Sequence, residues 1–228
     1  MTIQSYGQFC GVARAFELIG SPWSALVIRD LILGPKPLTD LRETLPRITA
    51  AVLDERLGEL EAGGVLRRSV SGQDAEVVYE LTDYGRELEP ILLQLGMWGV
   101  RTLGDPRPGD IFSLDMAILA LRGSFRPDRA RDVQVSFEVW FGEMVVNVRV
   151  DDGVLTVEEG ELPGADLVIS SPVLKNMMAA ELSPTDALWL GLAEAKGDPS
   201  RLNTFVELFH IPAAPELPAP ALSKGGTV

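Results

Sequence analysis

Groups that could do covalent or metal chemistry are few in this chain. Cys10 is its one thiol and His210 its one imidazole. A single cysteine excludes an internal disulfide and a multi-cysteine zinc site, and a single histidine excludes a pair of histidine ligands. No nucleophile elbow, phosphate-binding glycine loop, HExxH or paired-cysteine motif occurs. No acid, base and nucleophile fall into a recognisable constellation, so the expectation is no enzyme, no cofactor and no metal. Cys10, on an apolar helix, reads as a buried and inert thiol. The remaining candidates do recognition chemistry. Arg67 and Arg68 are adjacent cations suited to phosphate. Trp140, Met144, Met177, Met178, Trp189, Phe205 and Phe209 are large or adaptable apolar side chains that could line a cavity for a hydrophobic molecule, or fill a core.

The elements that must position these groups fall into two halves. Gly104-Asp-Pro-Arg-Pro-Gly109 packs two prolines and two glycines into six residues and reads as a linker at 105–109. The expected organisation is a domain over 1–104, a second over 110–211, and a disordered proline-rich tail over 212–228. Charge is asymmetric: 10 Lys/Arg against 14 Asp/Glu up to residue 104, and 10 against 19 after it. The net charge of −13 argues against a generally basic nucleic-acid binder, though not against a local basic wing. The longest apolar runs fall far short of the roughly 18 residues that span a bilayer. A cytoplasmic location is expected, with no membrane partner.

In the first half, Val12, Phe16 and Ile19 share a helix face, and Trp23–Leu33 is a second apolar helix closed by Gly34-Pro-Lys-Pro37. Thr39 caps a short third helix, and Thr49 caps a fourth whose stripe is Leu53, Leu57 and Leu60. Ile48 and Leu53 form a hydrophobic staple across that cap. Gly63-Gly64 ends the helix. Strands over Val65–Val70 and Val77–Leu81 make a hairpin around Ser71-Gly-Gln-Asp74. Thr82 starts a long helix that Pro90 should kink or restrict in its first turns. Three helices, a short turn, a fourth helix, a hairpin and a last helix are the order of a winged helix-turn-helix. The helix after Thr49 is then the recognition helix and the hairpin the wing.

The second half reads as α+β. Val133–Phe141 and Met144–Val150 alternate strictly, Asp152-Gly153 signals a hairpin, and strands follow at Val154–Val157 and Asp166–Ser170. Trp140 points opposite Val139 and Phe141, which suits a sheet covered on both faces. Ser171-Pro172 and Ser183-Pro184 are two helix starts, and a final helix runs around Leu202–Phe209.

Residues 6–103 resemble the HxlR-type winged-helix transcription regulators of bacteria. The resemblance rests on Cys10-Gly-Val-Ala-Arg-Ala-Phe-Glu-Leu-Ile-Gly20, Trp23, Leu38-Thr-Asp-Leu-Arg42, Val52-Leu53, Arg56-Leu57, Glu59-Leu-Glu-Ala-Gly63, Tyr79-Glu-Leu-Thr-Asp-Tyr-Gly85 and Leu88-Glu-Pro90. The second half is more loosely similar to sterol-carrier-type lipid-binding domains. That likeness rests on a β meander, Ala165-Asp-Leu-Val-Ile169, Ser183-Pro-Thr-Asp-Ala187 and Lys196-Gly-Asp198. Together the resemblances imply a homodimer through the first and last helices of the winged unit, double-stranded operator DNA as partner, and a hydrophobic ligand held between sheet and helices. DNA contact would fall to Thr39, Arg47, Thr49, Ala50, Ala51 and Asp54 around the recognition helix, and to Arg67, Arg68 and Gln73 on the wing.

The recognition helix departs from a good DNA reader. Residues 49–61 hold one basic side chain, Arg56, against Asp54, Glu55, Glu59 and Glu61. Phosphate contact wants Lys or Arg, and base readout usually wants Arg, Lys, Asn or Gln. An alternative is therefore a small-molecule binding or sequestering protein on the same scaffold that has lost DNA binding.

Overall fold

The computed structural model describes residues 5–71 and 75–215. Residues 72–74, which include Gln73 of the expected wing turn, and residues 216–228, most of the expected disordered tail, lie outside the described residues.

The chain folds as two units that interleave in sequence. The first takes the chain up to Gly96 together with Gly109–Gly123, and the second takes Met97–Pro108 and the chain from Ser124. The composition break at 104–109 thus sits where the second unit hands the chain back to the first. The helix after it packs with the first unit because Leu119 joins that unit's core.

In the first unit, α1 (Gly11–Ile19) and α2 (Ser24–Leu31) precede a two-residue strand, β1 (Lys36–Pro37), then α3 (Leu38–Thr44) and α4 (Ala50–Ala62). The wing is β2 (Leu66–Ser71) and β3 (Glu76–Leu81). Leu66 faces Leu81 and Arg67 faces Glu80, and β1 adds to the other side of β3, giving the order β1-β3-β2. Leu53, Leu57 and Leu60 of α4 are buried with Val27, Ile28 and Leu41, as the 3.6-residue spacing requires. Thr49 caps α4, its Oγ1 accepting from Val52 N at 3.3 Å. Thr49→Ala should cost the first unit about 1 kcal/mol, read from its denaturant midpoint. At the other end, Val65 N donates to Leu60 O and Gly64 takes φ +71, a glycine-closed helix end.

Thr39 does not cap α3. That helix begins at Leu38 with Pro37 as its N-cap, two residues earlier than a Thr39 cap would give, and the Thr39 hydroxyl donates to Asp40 Oδ1 instead. The fixed φ of Pro37 pre-sets the helix start.

The expected long helix after Thr82 is two helices. Thr82 caps the single turn α5 (Asp83–Arg86), and α6 (Glu89–Val100) starts afresh with Pro90 in its first turn. The missing N–H of Pro90 costs nothing there. Finally, α7 (Leu114–Ser124) completes the unit apart from its last residue.

The second unit is a five-stranded sheet in the order β6-β5-β4-β7-β8, built from β4 (Gln134–Phe141), β5 (Met144–Asp151), β6 (Val154–Glu159), β7 (Leu167–Ser170) and β8 (Glu194–Gly197). β4, β5 and β6 form the expected meander, while β7 lies parallel to β4. The helices are α8 (Leu174–Met178), α9 (Pro184–Trp189) and α10 (Arg201–Leu208). Val135, Phe137 and Val139 turn one face of β4 into a core with Phe205 and Leu202 of α10. The opposite face is polar: Glu138 and Asn147 lie on it, buried in part by the 160–165 loop, where Leu162 N donates to Glu138 Oε2 at 2.7 Å. Of the two Ser-Pro signals, Ser183 caps α9. Ser171 does not cap a helix; it accepts from Val173 N and donates to Leu192 O, holding a bend before α8.

Candidate nucleic-acid interface

Two buried layers present α4 to solvent. Beneath it lies the leucine core. Beside it, Asp30 of α2 is almost wholly buried, accepts from Thr44 Oγ1 at 2.6 Å and pairs with Arg29 at 2.6 Å. This buried carboxylate ties α2 to the last residue of α3 and so fixes the turn into α4. Its partners are an arginine next in sequence and a threonine fourteen residues on, and no periodicity pointed to it.

The residues expected to touch DNA are on the outside. Thr39, Arg47, Thr49, Ala50, Ala51 and Asp54 are exposed, as are Arg67 and Arg68. The exposed first turn of α4 offers backbone N–H groups, alanine methyls and the positive end of a helix dipole, features that suit a phosphate or a thymine methyl.

The cations are less available than the sequence suggests, because carboxylates hold them. Arg56 is nearly buried, with Nη1 at 2.6 Å from Glu59 and Nη2 at 2.8 Å from Glu55. The lone arginine of α4 therefore serves its own helix. Arg68 grips Glu61 of α4 through two bonds, Nε to Oε1 at 3.1 Å and Nη2 to Oε2 at 2.8 Å. Those bonds raise the Arg68 pKa still further. Arg67 donates from Nε to Glu80 Oε1 at 2.9 Å across the hairpin. This bond, with a lesser one from Ser69, holds the Glu80 carboxyl below its usual range. Because successive strand residues face opposite ways, Arg67 and Arg68 leave the hairpin on opposite faces, one toward Glu80 and the other toward Glu61 of α4. Arg47 lies 3.6 Å from Asp110, and Lys36 pairs with Asp115.

Cys10 is exposed at the N-cap of α1, not buried. Only Ala13 of that helix is buried, so the apolar face of Val12 and Phe16 stands in solvent. Backbone N–H groups of Ala13, then of Val12, pull the thiol below its ordinary pKa. On α6, Ile91, Leu95 and Trp98 are likewise exposed.

Among the candidate ligand residues of the second unit, Phe205 stacks on Phe209 at 4.7 Å and meets Phe137 edge-on at 5.2 Å. Met177 and Met178 are buried in the same unit. Met144 is half-buried at the β4–β5 hairpin end. Trp140 stands on the opposite sheet face, where its indole N–H donates to Glu138 Oε1 at 2.8 Å. There it lines a shallow groove with Val168, Ser170, Glu194 and Lys196. Trp189 is 82% exposed on α9. The seven residues thus divide among core, groove and surface.

Among the described residues no helix is long and apolar enough to cross a membrane, and no group of three or more His, Cys, Asp or Glu could hold a metal ion.

The model of the HxlR-like helix-turn-helix family matches residues 18–106. The HTH-type transcriptional regulator YtcD of Bacillus subtilis is 39% identical over 104 residues, which is 45% of this chain and 82% of YtcD. The chain belongs to the HxlR-like helix-turn-helix family. YodB of the same organism, also an HTH-type transcriptional regulator, is 36% identical over 85 residues, covering 37% of this chain and 76% of YodB. Among solved structures, the redox regulator HypR in its oxidized form is 40% identical, covering 40% of this chain and 94% of HypR, at a TM-score of 0.38. The HxlR-like match ends at 106, so the sheet of the second unit lies wholly outside it.

Proposed function

We propose that this HxlR-like chain is a homodimeric, cytoplasmic transcription regulator without enzymatic activity. In this reading α4 and the wing bind a palindromic operator, and the second unit senses a hydrophobic small molecule. The observation that carries the DNA half is the exposed first turn of α4, capped by Thr49 and backed by Leu53, Leu57 and Leu60, in a chain that belongs to a helix-turn-helix family. Thr49, Ala50, Ala51 and Asp54 then face the major groove. Thr39 and Arg47 contact the backbone, with Arg67, Arg68 and Gln73 on the wing. Dimerisation is supported by the exposed apolar residues of α1 and α6, which a second copy would cover.

The ligand half rests on the sterol-carrier resemblance, supported by a meander with apolar helices on one face. Met177, Met178, Phe205 and Phe209 would open around the ligand from their packed state, with Met144 and Trp189 at its approaches, while Trp140 would serve only a ligand held in the groove on the opposite sheet face. Binding would change the spacing of the two recognition helices, and only one spacing fits half-sites a helical turn apart. A coupling of about 1–3 kcal/mol suffices for regulation.

The second reading is a sequestering protein that has lost DNA binding. It is favoured by the ion pairs that occupy Arg56, Arg67 and Arg68. Selecting bound duplexes from a randomised pool with the full chain separates the two. Enrichment of one palindrome is the expected result; an unenriched pool would favour sequestration.

A further inference from the structure

The chain returns to the first unit at Gly109, and the returning segment is acidic where it meets basic side chains. Asp110 Oδ1 lies 3.6 Å from Arg47 Nη2. Arg47 stands in the turn between α3 and α4, two residues before the cap of the recognition helix. Asp115, in the first turn of α7, pairs with Lys36 of β1, immediately before α3. Both members of that second pair are largely buried, with side chains 19% and 25% exposed. The segment is anchored behind these contacts: Leu119 is buried in the first unit's core, and Arg122 pairs with Glu89 of α6 at 3.2 Å.

We propose that residues 109–115 are an internal phosphate mimic, an acidic strap whose Asp110 and Asp115 occupy Arg47 and Lys36 until DNA displaces them. The inference rests on the DNA-binding reading. A carboxylate and a phosphate oxygen compete for the same donors on arginine and lysine. A cation already paired gives up that pair on binding DNA, so the net gain from each phosphate contact shrinks. The strap also has a route for control. Pro108, immediately before it, belongs to the second unit, so the strap runs on directly from that half of the chain, the half read above as ligand-sensing. A rearrangement there can pull the aspartates away or hold them in place through the chain itself.

The magnitude is modest by nature. Exposed ion pairs contribute little and are screened by salt, so the Arg47 pair sets a small brake and the less exposed Lys36 pair a larger one. Asp110→Asn with Asp115→Asn removes both charges while keeping size and hydrogen bonding. This full-length double variant should bind a labelled random-sequence duplex about three- to tenfold tighter than the parent chain at low salt. Its log affinity should fall more steeply with log salt, toward the ~0.9 per phosphate expected of unmasked cations. With Arg47→Ala and Lys36→Ala also present, the asparagines should have no effect, which separates unmasking from a general loss of negative charge. Asp110→Asn alone changes the more exposed of the two pairs, should leave the fold intact, and should give about a twofold gain. Equal affinities for parent and double variant, where the parent binds, would overturn the strap and leave DNA binding standing. A gain that persists without Arg47 and Lys36 would overturn it also. Absence of binding by every variant at the lowest salt would remove the DNA reading and the strap together.

Discussion

Gly85→Ala should unfold the first unit at a much lower temperature than the parent chain. A Cβ at this position would lie 1.9 Å from the carbonyl oxygen of Val65 and 3.0 Å from its carbon. Real Cβ atoms do not approach so closely, and the obstacle is backbone. That carbonyl also has no freedom to retreat, because it accepts Thr82 N at 3.0 Å. The Thr82 hydroxyl in turn donates to Gly64 O at 2.6 Å and accepts Gly85 N at 3.0 Å. The glycine therefore lets α5 sit directly on the end of α4 and the start of β2. Relieving the overlap means parting the wing from α5, at a cost of about 3 kcal/mol, or roughly 10 °C or more in midpoint. Gly58→Ala is the matched comparison. It lies within α4 with nothing inside 4 Å of where the new methyl would sit, and should stabilise by about 0.5–1 kcal/mol through the helix propensity of alanine. Thermal unfolding followed by circular dichroism reads both, and a neutral Gly85→Ala would mean that α5 packs elsewhere.

Phe205→Ala is expected to cost the second unit about 3–5 kcal/mol. The ring is fully buried, stacked on Phe209 and edge-on to Phe137, so its loss leaves a void between α10 and the inner face of β4. The first unit has its own core, so two separate transitions should replace one, with helix signal surviving the lower. Trp189→Ala, at a position 82% exposed, should stay within about 0.5 kcal/mol. The pair of variants divides the aromatic candidates by role. If Phe205→Ala were as mild as Trp189→Ala, the ring would line open space and not a packed core.

Much of the first unit was legible because its signals are local. The Thr49 cap, the Leu53–Leu57–Leu60 stripe and the glycine end of α4 each depend on residues within one or two turns. Thr39 misled because a serine or threonine before an apolar run looks the same whether or not Pro37 has already started the helix. β1 has two residues and β8 four, two of them glycine and lysine, so neither carries an alternating pattern. The parallel pairing of β7 with β4 is a topological fact that no local spacing encodes.

At the candidate interface, side-chain types were legible and their partners were not. Arg67 and Arg68 read as a cationic pair, yet hairpin register sets one opposite Glu80 and the distance to α4 gives the other Glu61. The Arg67–Glu80 pairing follows once Leu66 is placed opposite Leu81, so that part was within reach. Asp110 and Asp115 were not, since the contact spans the return of the chain to the first unit. Cys10 looked buried because its helix is apolar, but that apolar face is turned outward. The same local pattern serves a core or an interface between copies.

The most direct measurement is a salt titration of DNA binding by fluorescence anisotropy, using the duplex enriched by the full chain beside a random one. Binding of the enriched duplex that weakens steeply as salt rises from about 50 to 200 mM, and is lost more in Arg67→Ala and Arg68→Ala than in Trp189→Ala, is the expected result. Failure to bind any duplex at the lowest salt, by a chain whose circular dichroism shows it folded, would contradict it.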